Sequence, residues 1–127
     1  SRKWLLMTTC DPAAVAAMST DFWKLLRSYE ALAAALPPER TARAEAQTRY
    51  ASDRLTRHLE TMGMKLVSFD GMAVGTDLPI VVVNAEELSE YDALEVETTL
   101  EPAIIAEGVV VQMARVIAKG AEHVSGN

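Results

Sequence analysis

Chemistry at neutral pH most often runs through histidine and cysteine, and this chain of 127 residues holds His58, His123 and a single cysteine, Cys10. A thiol nucleophile would need a base such as His58, and Cys10 does precede a helix start, a position that lowers a thiol pKa. No third residue stands ready to orient the pair. A zinc centre needs three or four suitable ligands at workable positions. Neither H-E-x-x-H nor C-x-x-C occurs, so His58 reads as a residue on a helix face. Serine-nucleophile motifs, Walker A and G-x-G-x-x-G are absent as well. The expectation is a protein that is not an enzyme and that uses no cofactor and no metal.

The densest carboxylates are Glu86, Glu87, Glu90 and Asp92. They read as a solubilising loop or, functionally, as a docking surface for a basic partner, where charge sets on-rate and orientation. Glu95 and Glu97 extend that patch along one face if their segment is a strand. Phe22 and Trp23 are adjacent. Trp23 reads as a residue that widens a helix–helix interface, or as an anchor for a partner.

The elements that would position these residues begin with one helix. Val15, Met18, Phe22, Leu25, Tyr29, Leu32 and Leu36 alternate spacings of three and four across an uninterrupted segment. A stripe repeating every 3.5 residues wants another helix beside it, from the same chain or from a second copy. Those seven positions are the expected dimer interface. Asp11 followed by Pro12 predicts the helix start, since Asp caps free amides and Pro suits the first helical position. Pro37-Pro38 predicts its end at Leu36, after about 26 residues and roughly 39 Å.

A second helix is expected from Pro38 to Met62, with Ala44, Thr48, Ala51, Leu55, His58 or Leu59, and Met62 on one face and Gly63 as its C-cap. This stripe is small, which predicts packing by close approach. A hairpin and a continuous kinked helix both fit the two segments. After Gly63 the texture changes. Strands are expected at 64–69, 79–83 and 95–100, with turns at Asp70-Gly71 and Gly75-Thr76-Asp77 and a loop or single helical turn over 86–92. Residues 103–106 and 109–118 flank Glu107-Gly108, which reads as a hairpin turn, and the tail from Glu122 should fray. The fold class is α+β. A long N-terminal helix and a second helix (1–62) form a pairing region, a coiled coil or bundle dimer, and a small C-terminal all-β domain (63–127) follows.

Composition narrows the partners. The net charge of −6 suits a phosphate backbone poorly, because such binding needs clustered Lys and Arg. Arg40, Arg43, Arg49, Arg54 and Arg57 are interleaved with Glu39, Glu45, Asp53 and Glu60, the pattern of a solvated helix face. No nucleic-acid partner is expected. Apolar runs fall well short of a membrane span, and Trp4-Leu5-Leu6-Met7 is too short for a signal-peptide core, so no membrane partner is expected either. One cysteine allows no intramolecular disulfide, which fits a cytoplasmic location. Ser1 in place of methionine predicts that an extension precedes the chain.

This plan resembles the GrpE family of Hsp70 nucleotide exchange factors. The stretch Glu101-Pro102-Ala103-Ile104-Ile105-Ala106-Glu107-Gly108-Val109-Val110-Val111-Gln112-Met113-Ala114-Arg115-Val116-Ile117-Ala118-Lys119 is similar to the family's closing hairpin, and Leu59-Glu60-Thr61-Met62-Gly63-Met64 to the entry of its β unit. Pro102-Ala103 stands where the family has a Gly-Tyr pair, and Gln112-Met113-Ala114 where it has Arg-Pro-Ala. Phe69-Asp70 is followed by Gly71, with no match to the family's Phe-Asp-Pro run. No individual partner-contacting residue is therefore carried over. The resemblance implies a homodimer built on paired helices that presents a β unit to an Hsp70-like ATPase domain and promotes ADP release. The residues alone support a coiled-coil dimeric adaptor or assembly module without exchange activity equally well. Glu86, Glu87, Glu90 and Asp92 are the candidate partner-binding residues.

Overall fold

The computed structural model of the chain describes residues 11–121. Cys10 with the lead-in before it, and the tail from residue 122 that includes His123, lie outside the described residues.

Helix α1 (Pro12–Ala33) starts where Asp11 and Pro12 predict. Asp11 Oδ1 accepts a hydrogen bond from Ala13 N at 3.1 Å, and Pro12 has no N–H to leave unpaired. Its end differs from expectation: α1 stops at Ala33 after 22 residues and does not reach Leu36. Ala35 N and Leu36 N instead bond Leu32 O and Ala33 O at 3.3 and 3.0 Å, a tightened last turn. Pro37 disfavours helical geometry in the residue before it, so the helix closes early. Thr41 Oγ1 lies 2.9 Å from Ala33 O and 3.0 Å from Leu36 O and shares its proton between these carbonyls, which ties the following segment to the turn that ends α1.

Helix α2 (Pro38–Thr61) returns alongside α1, so the two segments form an antiparallel hairpin. The buried positions of α1 are all small (Ala16, Ser19, Thr20 and Ala33), while α2 buries Ala44, Thr48 and Leu59. Small side chains let the two backbones approach closely. Thr48 Oγ1 turns back onto Ala44 O at 2.9 Å, which satisfies the hydroxyl where no water reaches it. Gly63 follows α2 with φ +73°, and its carbonyl accepts a hydrogen bond from Glu107 N at 3.2 Å, docking the helix end onto the Glu107-Gly108 turn.

Six strands follow: β1 (Met64–Val67), β2 (Ile80–Val82), β3 (Leu94–Glu101), β4 (Ala103–Ala106), β5 (Val109–Gln112) and β6 (Ala114–Gly120). They form two three-stranded sheets. Sheet 1 has the order β1-β4-β5 and is antiparallel throughout; sheet 2 has the order β2-β6-β3, with β2 parallel and β3 antiparallel to β6. The split has a local cause. Buried Pro102 cannot donate to a ladder, so β3 ends at Glu101 and the chain crosses to sheet 1 as β4. The expected strand over 109–118 breaks likewise at Met113, and β6 returns to sheet 2. Glu107 and Gly108 have φ +50° and +83°, the pair of positive angles that a two-residue type I′ hairpin requires.

Two apolar clusters result. One joins Ala16, Leu59, Met64 and Ile104, with Val15, Leu55 and Leu66 packed against them, and fixes the helix hairpin on sheet 1. The other joins Phe69, Val96, Ala103, Ala114 and Val116 between the sheets, with Ile80 and Val82 beside them.

Candidate functional site

The seam expected to pair is outside the chain's own core. Met18, Leu25 and Leu32 keep 73%, 66% and 75% of their surface exposed, and Phe22 and Tyr29 are exposed beside them. Val15 is half-buried against the helix–sheet cluster, and Leu36 sits in the turn after α1 rather than on the helix. The reason is a second stripe on the same helix. Ala16, Ser19, Thr20 and Ala33 face inward, and this rotates the bulky line toward solvent.

Near the start of α1 the seam opens into an apolar groove between the helices. Val15, Met18 and Phe22 of α1 face Leu55, His58 and Met62 of α2 across a cavity of about 450 Å³. His58 is thus an exposed wall residue of the groove, as its helix-face reading predicts. On the other side of the hairpin lies a cleft of about 630 Å³ lined by Trp23, Arg27, Glu45, Arg49, Asp53 and Ser68. Its lining is charged where that of the first groove is apolar. Trp23 is half-buried there, with the Arg27 guanidinium carbon 4.5 Å from its ring centroid, a cation–π arrangement.

Arg27 reaches further. Its Nη2 donates to Asp70 Oδ2 at 3.1 Å, while Asp70 Oδ1 accepts from Thr99 N at 2.7 Å and Thr99 Oγ1 accepts from Phe69 N at 3.0 Å. Lys24 Nζ meets Glu101 Oε2 at 3.3 Å one turn earlier. Burial pushes the Asp70 carboxyl up, but hydrogen bonds from Thr99 and the Arg27 charge outweigh it and hold its pKa below the usual value. The sequence marks Asp70 only as a turn residue and gives Lys24, Arg27, Thr99 and Glu101 no role in a site. Lys24 and Arg27 stand three apart on one helical face, which was the signal available.

The carboxylates Glu86, Glu87, Glu90 and Asp92 are all exposed, on and after a short 3-10 turn, Ala85–Leu88, that packs against β6. The loop is well held. Asn84 Nδ2 donates to Ala118 O at 2.9 Å and Asn84 Oδ1 accepts from Ala118 N at 3.0 Å, so one side chain extends the ladder beside β6. Tyr91 lies over Gly120, where a Cβ would strike its ring. The acidic patch therefore sits on sheet 2, while α1 carries the seam and touches β3 and β5. Glu95 stands opposite Lys119 in the β3–β6 pair.

Among the described residues no group of three or more His, Cys, Asp and Glu is placed to hold a metal ion. No described helix is long and apolar enough to cross a membrane. Comparison with protein-family models, with curated proteins and with solved structures finds no match.

Proposed function

We propose that this chain is a GrpE-like co-chaperone: a cytoplasmic homodimer, paired through the α1 seam as a coiled coil or bundle, that binds an Hsp70-type ATPase domain and promotes ADP release. The observation that carries the reading is the exposed line of Met18, Leu25 and Leu32 on the first helix of a hairpin that a small β unit follows. A large apolar line left in water marks an association surface. The coarse order of elements, helices first and a small all-β unit after them, is the one that the resemblance of residues 59–64 and 101–119 implies.

The mechanism needs no chemistry from this chain. A factor that binds the open nucleotide cleft more tightly than the closed one shifts the ATPase domain toward the open state, and ADP leaves faster. A hundredfold acceleration corresponds to about 2.7 kcal/mol of differential affinity. The β unit supplies the contact, and its acidic loop of Glu86, Glu87, Glu90 and Asp92 meets basic groups on the partner.

The test is release of a fluorescent ADP analogue from an Hsp70-type ATPase domain, with and without the full chain. The reading expects release to quicken with added chain until it saturates. A chain that dimerises and yet leaves release unchanged would be a coiled-coil adaptor.

A further inference from the structure

The seam residues of α1 form two lines. Met18, Leu25 and Leu32 stand outward with at least 66% of their surface exposed, whereas Phe22 and Tyr29 keep 38% and 42% and Val15 is half-buried. The second line leans toward α2. From it, Val15 and Phe22 form a wall of the apolar groove, opposite Leu55, His58 and Met62. The outward line and the groove are therefore separate surfaces that meet at Met18. A second copy paired on Leu25 and Leu32 leaves the groove open.

The groove lies at the head of α1, where the chain enters the helix. The ten residues before Asp11 carry Trp4-Leu5-Leu6-Met7, four consecutive large apolar side chains. Met7 and Trp4 are four and seven residues from Asp11, which gives them reaches of about 14 and 24 Å in extended chain. Val15 and Phe22 stand about 6 and 17 Å beyond Asp11 along the helix. That reach covers the groove from end to end. The entry also favours this side. In the hydrophobic staple, the residue before a helix cap packs on the fourth helical residue. The fourth residue of α1 is Val15, on the groove wall.

We propose that Trp4-Leu5-Leu6-Met7 seats in the groove of its own chain, as a third segment laid against the helix hairpin. Tethering decides between this occupant and a second copy. A segment on a short flexible linker acts at an effective concentration in the millimolar range, so a copy at micromolar concentration must bind about a thousandfold tighter to displace it. The lining suits an indole. It is apolar except for Ser19 and His58, and either side chain can accept a hydrogen bond from the indole N–H of Trp4. The inference holds for a single chain as for a pair, and it does not rest on nucleotide exchange.

The chain has two tryptophans, so Trp23→Phe leaves Trp4 as its sole indole reporter. Trp4 emission in that full chain should lie to the blue of free tryptophan and be shielded from acrylamide. Adding Met62→Asp in the groove wall should abolish both effects. The wild-type chain should show nuclear Overhauser contacts from the Trp4 ring to the methyls of Met18 and Met62, a readout that serves even if Met62→Asp fails to fold. In an equal mixture of chains labelled only at methionine methyls with chains protonated only at tryptophan, those contacts should vanish. Solvent-like Trp4 emission without the contacts, or emission unchanged in folded Met62→Asp, would overturn the inference. So would contacts that persist in the mixture, which would seat the lead-in of a second copy, or groove methyls that touch a second copy's α1 instead.

Discussion

Helix α1 turns Ala16, Ser19, Thr20 and Ala33 toward its own chain and leaves Met18, Leu25 and Leu32 largely in water. A helix with both stripes is normally expected to bury the larger one, since buried apolar area stabilises by about 25 cal/mol per Å². Here the small stripe takes the intrachain contacts: Ala16 packs with Leu59, Met64 and Ile104, and Thr20 Oγ1 accepts from Gln112 Nε2 of β5. The difference separates two tasks on one helix. Small residues face the rest of the chain, and large ones stay exposed, open to the association proposed above.

The largest effect should come from the inward side. Leu59 is 1% exposed in the cluster that joins α2 to sheet 1, and Leu59→Ala should cost about 2–5 kcal/mol in urea unfolding at any protein concentration. Leu25→Ala, on the outer stripe, should change unfolding by less than about 0.5 kcal/mol in dilute protein while weakening self-association. Equal losses at both positions in dilute protein would erase the distinction.

A smaller effect is expected at the hinge between helix and strand. Gly63 has φ +73°, and a Cβ there would lie 3.0 Å from Glu107 Oε2. Gly63→Ala should lower stability by about 1–2 kcal/mol, read as a shifted urea midpoint with an unchanged slope.

Acid tests the polar side of α1. The Asp70 pKa is depressed in the folded chain, so its contribution is present above the unfolded value of about 3.9 and is lost as pH falls through the folded value. Stability should therefore decline in that acid window, and Asp70→Asn should flatten the decline. An acid limb identical in wild type and Asp70→Asn would show that Asp70 has no share in it. The smallest effect is expected at the acidic loop. Glu86→Gln, Glu87→Gln and Glu90→Gln together should alter unfolding by no more than about 0.5 kcal/mol, since all three side chains are exposed.

Much of this comparison is legible in the sequence. The period of the seam identifies the outer stripe, and Asp11-Pro12 and Glu107-Gly108 mark a helix start and a hairpin from local backbone chemistry alone. The early end of α1 is harder to read, because Pro37 acts on the residues before it and Thr41 rewards the tightened turn. The second sheet escapes a local reading altogether. The parallel match of β2 with β6 joins Ile80 to Ala114, and no periodicity within either segment encodes that partner. The same holds for the polar ties of α1. Arg27 and Asp70 are 43 positions apart and Lys24 and Glu101 are 77 apart, so their pairing exists only once both sheets are in place.

Association through the seam is the claim on which the rest depends, and mass in solution tests it most directly. Light scattering should give the wild-type chain twice its 13.8 kDa and the Phe22→Asp/Leu25→Asp variant 13.8 kDa, with helix content retained in both. A wild-type mass of 13.8 kDa at every concentration, or a variant that stays dimeric, would contradict the account.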